Sequence, residues 1–186
     1  MVRLRLALTV VGVFIASAAH AQPALYTGLI TAHLGASAGG DVEGRAVTPG
    51  ASMSVVDDGG LGGEIDIGHS RAIDETRFSS SAITSFTVNA IGMWKASVVR
   101  PFVVGGVGLL RVRAERPDVG LAVSRTDWAF DAGAGVHYMF NDIFGLRGEV
   151  RYFRFMQRHD ELPLRDNGFF DYWRTSIGAT FSWPIS

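Results

Sequence analysis

The chain has 186 residues, which is enough for one domain with a sizeable core, and a formal net charge of −1. That charge argues against a nucleic-acid-binding protein, because such proteins concentrate positive charge. The sequence contains no cysteine, which excludes a disulfide framework and a thiolate metal site.

The N-terminal segment has the organisation of a secretory signal peptide. Two early arginines form a basic region, the apolar run from Leu6 to Ala16 follows, and Ala19-His20-Ala21 is a small-x-small cleavage site. The apolar run is shorter than the ~20 residues that a membrane-spanning helix needs. We therefore expect a signal peptide at residues 1–21 and an exported domain at residues 22–186.

After the signal peptide, apolar and polar side chains alternate with a period of two, which is typical of β-strands. In residues 127–140 every even-numbered side chain is apolar, whereas the odd-numbered ones include Asp131 and His137. Segment 49–56 is the weakest strand prediction because it is short and contains a proline, and the two faces of segment 99–113 are ambiguous. The pattern predicts eight strands, at roughly 24–36, 49–56, 61–71, 82–95, 99–113, 127–140, 143–156 and 169–183.

The connections between the predicted strands alternate in length. Short connections lie at 57–60, 95–98 and 141–142, and long polar ones lie at 37–48, 72–81, 114–126 and 157–168. An even number of antiparallel strands, with short turns at one end and long loops at the other, is the layout of an outer-membrane β-barrel. Matching the apolar faces of the sixth and seventh strands requires a three-residue turn, Asn141 to Ile143, which pairs Phe140 with Phe144.

The two faces of the predicted strands differ in chemistry. The apolar face carries aromatic side chains towards both strand ends, Phe102 and Tyr172 among them, and such girdles are typical of lipid-facing walls. The interior of an eight-stranded barrel is just wide enough for side chains to fill, and a lone buried charge costs several kcal/mol. We therefore predict a paired polar network in the lumen, formed by Glu64, Asp66, Asp131, His137, Arg147, Glu149, Arg151 and Arg174.

Three stretches resemble the fifth, sixth and seventh strands of small outer-membrane β-barrel proteins of the OmpA/OmpX type and the opacity-protein-like type: RPFVVGGVGLL, DAGAGVHYMFND and GLRGEVRYFRF. The resemblance covers residues 24–183. It implies an all-β fold, an eight-stranded antiparallel up-and-down transmembrane barrel, located in the cell outer membrane of a Gram-negative envelope.

The stretch SIGATFSW resembles the C-terminal insertion signal of these proteins. The resemblance implies that the barrel assembly machinery reads Ser176, Gly178, Phe181 and Trp183 during insertion. The chain departs from the family after Trp183, because Pro184-Ile185-Ser186 follows the aromatic residue on which such chains usually end.

No catalytic constellation stands out, and the sequence predicts neither a cofactor nor a metal site. The histidines after the signal peptide have no HExxH or HxH spacing. The leading hypothesis is therefore an integral barrel without catalysis, with a plugged lumen and a structural or surface-interaction role. It would contact outer-membrane lipid and could bind a surface ligand through its long loops.

Two other hypotheses stay open at this point. An outer-membrane enzyme acting on lipid A or peptides would need a histidine with a serine or an acid, for which His69, Ser70 and His159 are the candidates. A soluble periplasmic lipocalin-like carrier would instead turn the apolar face of the strands inward.

Overall fold

Eight antiparallel strands form a closed barrel in which each strand pairs with its neighbours in sequence and β1 pairs with β8. In this computed structural model, residues 26–39, 42–72, 82–95, 97–116, 121–157 and 170–185 are described. The predicted up-and-down barrel is confirmed. The strands are β1 (Tyr26–Gly39), β2 (Val42–Val56), β3 (Leu61–Ala72), β4 (Ala82–Met93), β5 (Val99–Arg116), β6 (Leu121–Met139), β7 (Phe144–Phe155) and β8 (Asp171–Ile185). Among the described residues, no helix is long and apolar enough to cross a membrane.

The register of the β6–β7 hairpin is the predicted one. The Phe140 amide donates to the Phe144 carbonyl at 2.9 Å, which leaves three residues in the turn. The Asn141 side-chain oxygen accepts from the amides of Ile143 at 2.9 Å and of Phe144 at 2.7 Å. A short polar side chain thus satisfies the backbone donors of the turn, which explains the asparagine at this position.

Two of the predicted long connections are wrong for most of their length. β1 continues to Gly39 and β2 begins at Val42, so most of 37–48 is strand, and β5 and β6 likewise extend through most of 114–126. These extensions pair with each other through backbone hydrogen bonds, which do not require an alternating apolar face. The other two predicted connections, 72–81 and 157–168, lie mostly outside the described residues.

The outer wall is mainly apolar and the charged residues predicted for the lumen face the interior, as the alternation predicts. Adjacent residues of β7 show the contrast, because Val150 is 45% exposed on the outer wall whereas Arg151 is 0% exposed in the lumen. The aromatic girdles need two corrections. Phe102 and Tyr172 are each 1% exposed and point inward, because they share the strand face of Val104 and Arg174 respectively.

Candidate functional site

The lumen contains a layer of ionisable side chains supplied by five strands, β1, β3, β6, β7 and β8. β3 contributes its even-numbered and β7 its odd-numbered residues, which are the inward positions of those strands. All eight residues predicted for the lumen lie there, and none is more than 5% exposed: Glu64, Asp66, Asp131, His137, Arg147, Glu149, Arg151 and Arg174.

Arg151 is the centre of this ion layer. Its Nη2 donates to Glu64 Oε1 at 2.6 Å, its Nη1 donates to Asp131 Oδ2 at 3.0 Å, and its Nε donates to Glu149. Three carboxylates from three strands thus surround one guanidinium group. Charge-assisted hydrogen bonds of this kind offset the cost of removing the charge from water.

Arg147, two residues earlier on β7, shares two of these carboxylates. Its Nη1 donates to Glu64 Oε2 at 2.6 Å, and its Nε donates to Glu149 Oε2 at 2.9 Å. Glu64 therefore bridges both arginines, and Ser54 Oγ also donates to it at 2.9 Å. Because β3 and β7 are four strands apart in a barrel of eight, these ion pairs connect opposite walls across the lumen.

A second set of contacts in the layer connects β8 and β1 through Asp66 of β3. Arg174 Nη2 donates to Asp66 Oδ1 at 2.8 Å, and Asp66 Oδ2 lies 3.2 Å from His33 Nε2. The sequence prediction omitted His33. Its position two residues after Thr31, on the polar face of β1, was the available signal. That pattern does not predict which acidic side chain a single histidine will contact.

His137 lies in the lumen but joins no carboxylate that the structure describes. Its Nδ1 lies 3.4 Å from Thr180 Oγ1, and its ring centroid is 5.0 Å from that of Phe102. Asn89, which the sequence prediction also omitted, completes the layer. In the orientation that satisfies both polar atoms of its amide, it donates to Asp131 Oδ1 at 2.8 Å and accepts from Arg151 Nη1 at 2.9 Å.

Apolar side chains cover the ion layer on both sides along the barrel axis, and the sequence prediction missed them. Towards the short turns lies the lower apolar layer: Leu29, Val56, Ile91, Met93, Phe102 and Val104. Towards the long loops lies the upper apolar layer: Ile83, Leu110, Ala129, Phe153, Phe155, Phe170 and Tyr172. Gly135 makes room for the lower layer, because a Cβ there would come within 2.5 Å of the Phe102 ring.

The candidate His69–Ser70 pair is not brought together. Ser70 points into the lumen, where its hydroxyl lies 2.7 Å from Thr48 Oγ1 and 3.0 Å from Ser37 Oγ. His69 lies on the outer wall, with its Nδ1 2.9 Å from Thr84 Oγ1. Because the two side chains lie on opposite faces of β3, His69 cannot act as a base for Ser70. The third candidate, His159, lies outside the described residues.

The four residues of the predicted insertion signal divide between the two faces of β8. Ser176 and Gly178 occupy inward positions of the strand. Phe181 lies on the outer wall, where its ring centroid is 5.6 Å from that of Phe144. Trp183 covers Gly28 of β1, its partner in the register. β8 continues to Ile185, and Pro184 is paired with Thr27. Recognition of these residues by the assembly machinery stays a prediction.

A closed eight-stranded barrel with an apolar outer wall and a buried layer of ion pairs defines a small outer-membrane β-barrel protein. The family model described as "Outer membrane protein beta-barrel domain" matches residues 6–183, and the chain belongs to this family. The protein is therefore located in the outer membrane. A comparison with curated proteins gave no match.

Three solved structures of such barrels are similar to this chain. Surface protein A of Neisseria gives a TM-score of 0.61 at 14% identity, over 84% of this chain and 95% of that one. The N-terminal barrel domain of Pseudomonas aeruginosa OprF gives 0.57 at 16% identity, over 84% and 97%. Ail, the attachment invasion locus protein of Yersinia pestis, gives 0.57 at 12% identity, over 87% and 100%. At these identities the likeness shows the fold alone.

Proposed function

We propose that this protein is a non-catalytic outer-membrane barrel whose lumen is closed by its own side chains and whose role is structural or surface-interacting. The observation that carries the proposal is the buried ion layer between two apolar layers. The barrel wall would contact outer-membrane lipid, and the segments between strands at the long-loop end would contact partners outside the cell.

The contacts within the lumen argue for a closed interior. The Phe102 ring centroid lies 4.4 Å from the guanidinium carbon of Arg147, and the Phe153 centroid lies 5.0 Å from that of Arg174. Each arginine therefore has an aromatic ring from an apolar layer against it. A continuous water path would have to move these rings and separate ion pairs such as Arg147–Glu64, whose atoms are 2.6 Å apart. Separating such a pair without new partners would cost several kcal/mol.

The same contacts argue against catalysis in the lumen. A general acid or base must come within hydrogen-bond reach of its substrate. Glu64, Asp131 and Glu149 instead accept hydrogen bonds from Arg147 or Arg151 and are covered by the apolar layers. The carrier hypothesis fits poorly as well, because a lipocalin-like carrier needs an apolar interior, and the charged layer occupies the centre of this one.

Planar-bilayer recording tests the closed lumen. The folded protein should show no stable large-conductance steps, and heat-modifiability on a cold detergent gel checks that it is folded before each recording. The variant F102A/R147A/R151A serves as the positive control, because it removes one ring and two guanidinium groups from the lumen and should conduct. Stable large-conductance steps from the unmodified protein would overturn the proposal.

A further inference from the structure

The outer wall carries a cluster of basic side chains at the long-loop end of β3 to β6. We call it the rim patch and define it as His69, Arg71, Arg111 and Arg113 together with Thr84 and Ser124. The register places these residues side by side, because His69 pairs with Thr84 and Thr84 with Arg111, while Arg113 pairs with Ser124. His69, Thr84, Arg111 and Arg113 border an open pocket of ≈ 110 Å³.

The rim patch directly adjoins the lipid-facing band. The last apolar row of the outer wall on these strands is formed by Ile67, Phe86, Leu109 and Trp128, each of which is exposed. The rim patch lies in the next two outward rows: His69, Thr84 and Arg111 belong to the first, and Arg71, Arg113 and Ser124 to the second. The first of these rows is about 7 Å beyond the apolar one, since a strand rises about 3.4 Å per residue. Short turns face the periplasm in such barrels, so the patch lies where the outer leaflet meets the exterior.

The arginines of the patch, Arg71, Arg111 and Arg113, form no ion pair with a carboxylate among the described residues. Elsewhere on the same rim the arrangement differs, because Arg154 of β7 lies opposite Asp171 of β8 in the register. An uncompensated guanidinium group at the edge of hydrocarbon favours an anionic ligand.

Neighbouring side chains orient two of the arginines. Arg71 Nε donates to His69 Nε2 at 3.1 Å, so that His69 Nδ1, 2.9 Å from Thr84 Oγ1, carries the proton and donates to Thr84. Arg111 Nε donates to Ser124 Oγ at 3.3 Å. These bonds use the Nε atoms and leave the terminal guanidinium nitrogens to donate to a ligand.

We propose that the rim patch binds the phosphate groups of a phosphorylated lipid in the outer leaflet. Guanidinium forks match phosphate oxygens in geometry and charge. The apolar row of Ile67, Phe86, Leu109 and Trp128 would contact the acyl chains of the same lipid. An apolar row immediately beside a basic cluster matches an amphipathic phosphorylated lipid better than a soluble anion.

Relief of fluorescence quenching tests this proposal. Full-length protein that keeps Trp128 as its single tryptophan is folded into vesicles of brominated phosphatidylcholine, whose chains quench Trp128. Unbrominated bis-phosphorylated lipid A is then titrated into the vesicles. We expect Trp128 emission to recover at low mole fraction, with a preference of about tenfold over phosphatidylcholine, as expected for charge-assisted hydrogen bonds to phosphate.

The variant R111Q/R113Q should lose this preference, whereas the matched variant R154Q should retain it. Folding of each variant is checked on a cold detergent gel, and the single variants R111Q and R113Q replace the double one if it fails to fold. Equal recovery with dephosphorylated lipid A of the same chains would overturn the proposal, as would a preference that R111Q/R113Q retains or R154Q loses. Abolition of the preference by millimolar inorganic phosphate would assign the patch to soluble anions and would also overturn it.

Discussion

The two faces of β7 solve the same physical problem in opposite ways. Val150 and Arg151 are adjacent in sequence and both are shielded from bulk water, one by hydrocarbon and the other by the barrel. At mid-strand the outer face carries no charge, and Val150 pairs there with Ala134 and Thr175. The inner face accepts charge because Arg151 meets Glu64, Asp131 and Glu149. On this strand, the buried charge of Arg151 is tolerated because counter-charges lie at contact distance.

The substitution Arg151→Met tests this comparison and should have the largest effect on stability. Methionine fills similar volume but leaves Glu64, Asp131 and Glu149 with one guanidinium group fewer. We expect a loss of about 3–5 kcal/mol in the free energy of unfolding, as for removing one partner of a buried ion pair. Urea titration in vesicles, followed by the folded band on a cold gel, measures this loss. Arg154→Met, on the outer wall of the same strand, is the control and should cost less than about 1 kcal/mol.

The converse test places a charge on the lipid side of the same strand. Val150→Arg should cost about 2–4 kcal/mol, because the outer wall offers no counter-charge at mid-strand. Val150→Leu keeps the apolar character and should change the urea midpoint very little. Unchanged folding of Val150→Arg in vesicles would contradict the assignment of the outer face.

A smaller effect is expected where the ion layer meets the upper apolar layer. The rings of Phe153 and Tyr172 are stacked, with centroids 4.9 Å apart and planes at 6°, and the Phe153 ring also faces Arg174. Phe153→Leu keeps an apolar side chain but removes both ring contacts, so we expect a loss of about 2 kcal/mol. The same urea titration measures it, and Phe153→Tyr, which retains the ring, should lose less. Equal losses for both variants would contradict the assignment of this loss to the ring contacts.

The smallest effect is predicted outside both faces, at the β6–β7 turn. Asn141→Ala removes two side-chain acceptor contacts to backbone amides, which water can replace because Asn141 is exposed. We expect a loss of about 1 kcal/mol, whereas Asn141→Asp should preserve stability. A loss as large as that of Arg151→Met would show that the turn, and not the lumen, dominates the stability of this hairpin.

Much of the fold could be predicted from the sequence because β6, β7 and β8 alternate cleanly between apolar and polar residues. The same pattern assigned Arg147, Glu149 and Arg151 to one face. It failed on β5, where Phe102, Val103 and Val104 are all apolar, so the inward ring could not be distinguished from the outward side chains. The apolar layers of the lumen were missed because inward side chains towards the strand ends, such as Phe153, Phe155 and Tyr172, are as apolar as the outward ones.

The alternation of apolar and polar residues also could not predict which acidic side chain pairs with which basic one. Glu64 reaches Arg147 and Arg151 across the full width of the barrel, so their pairing depends on the register of every intervening strand. His33 and Asn89 escaped prediction for the same reason, since each becomes part of the ion layer only through a partner on another strand. The tertiary structure, not the alternation, therefore decides the composition of the site.

The pairing of β1 with β8 has a consequence for how this protein is lost from the membrane. Since the described sheet has no free edge, separating any two strands within the bilayer would expose two rows of amide and carbonyl groups to hydrocarbon. Each such group costs several kcal/mol there, so fraying from one side is prohibitive. The lifetime of the protein in the membrane should then be set by a rare concerted escape, and hence by an activation barrier instead of an equilibrium.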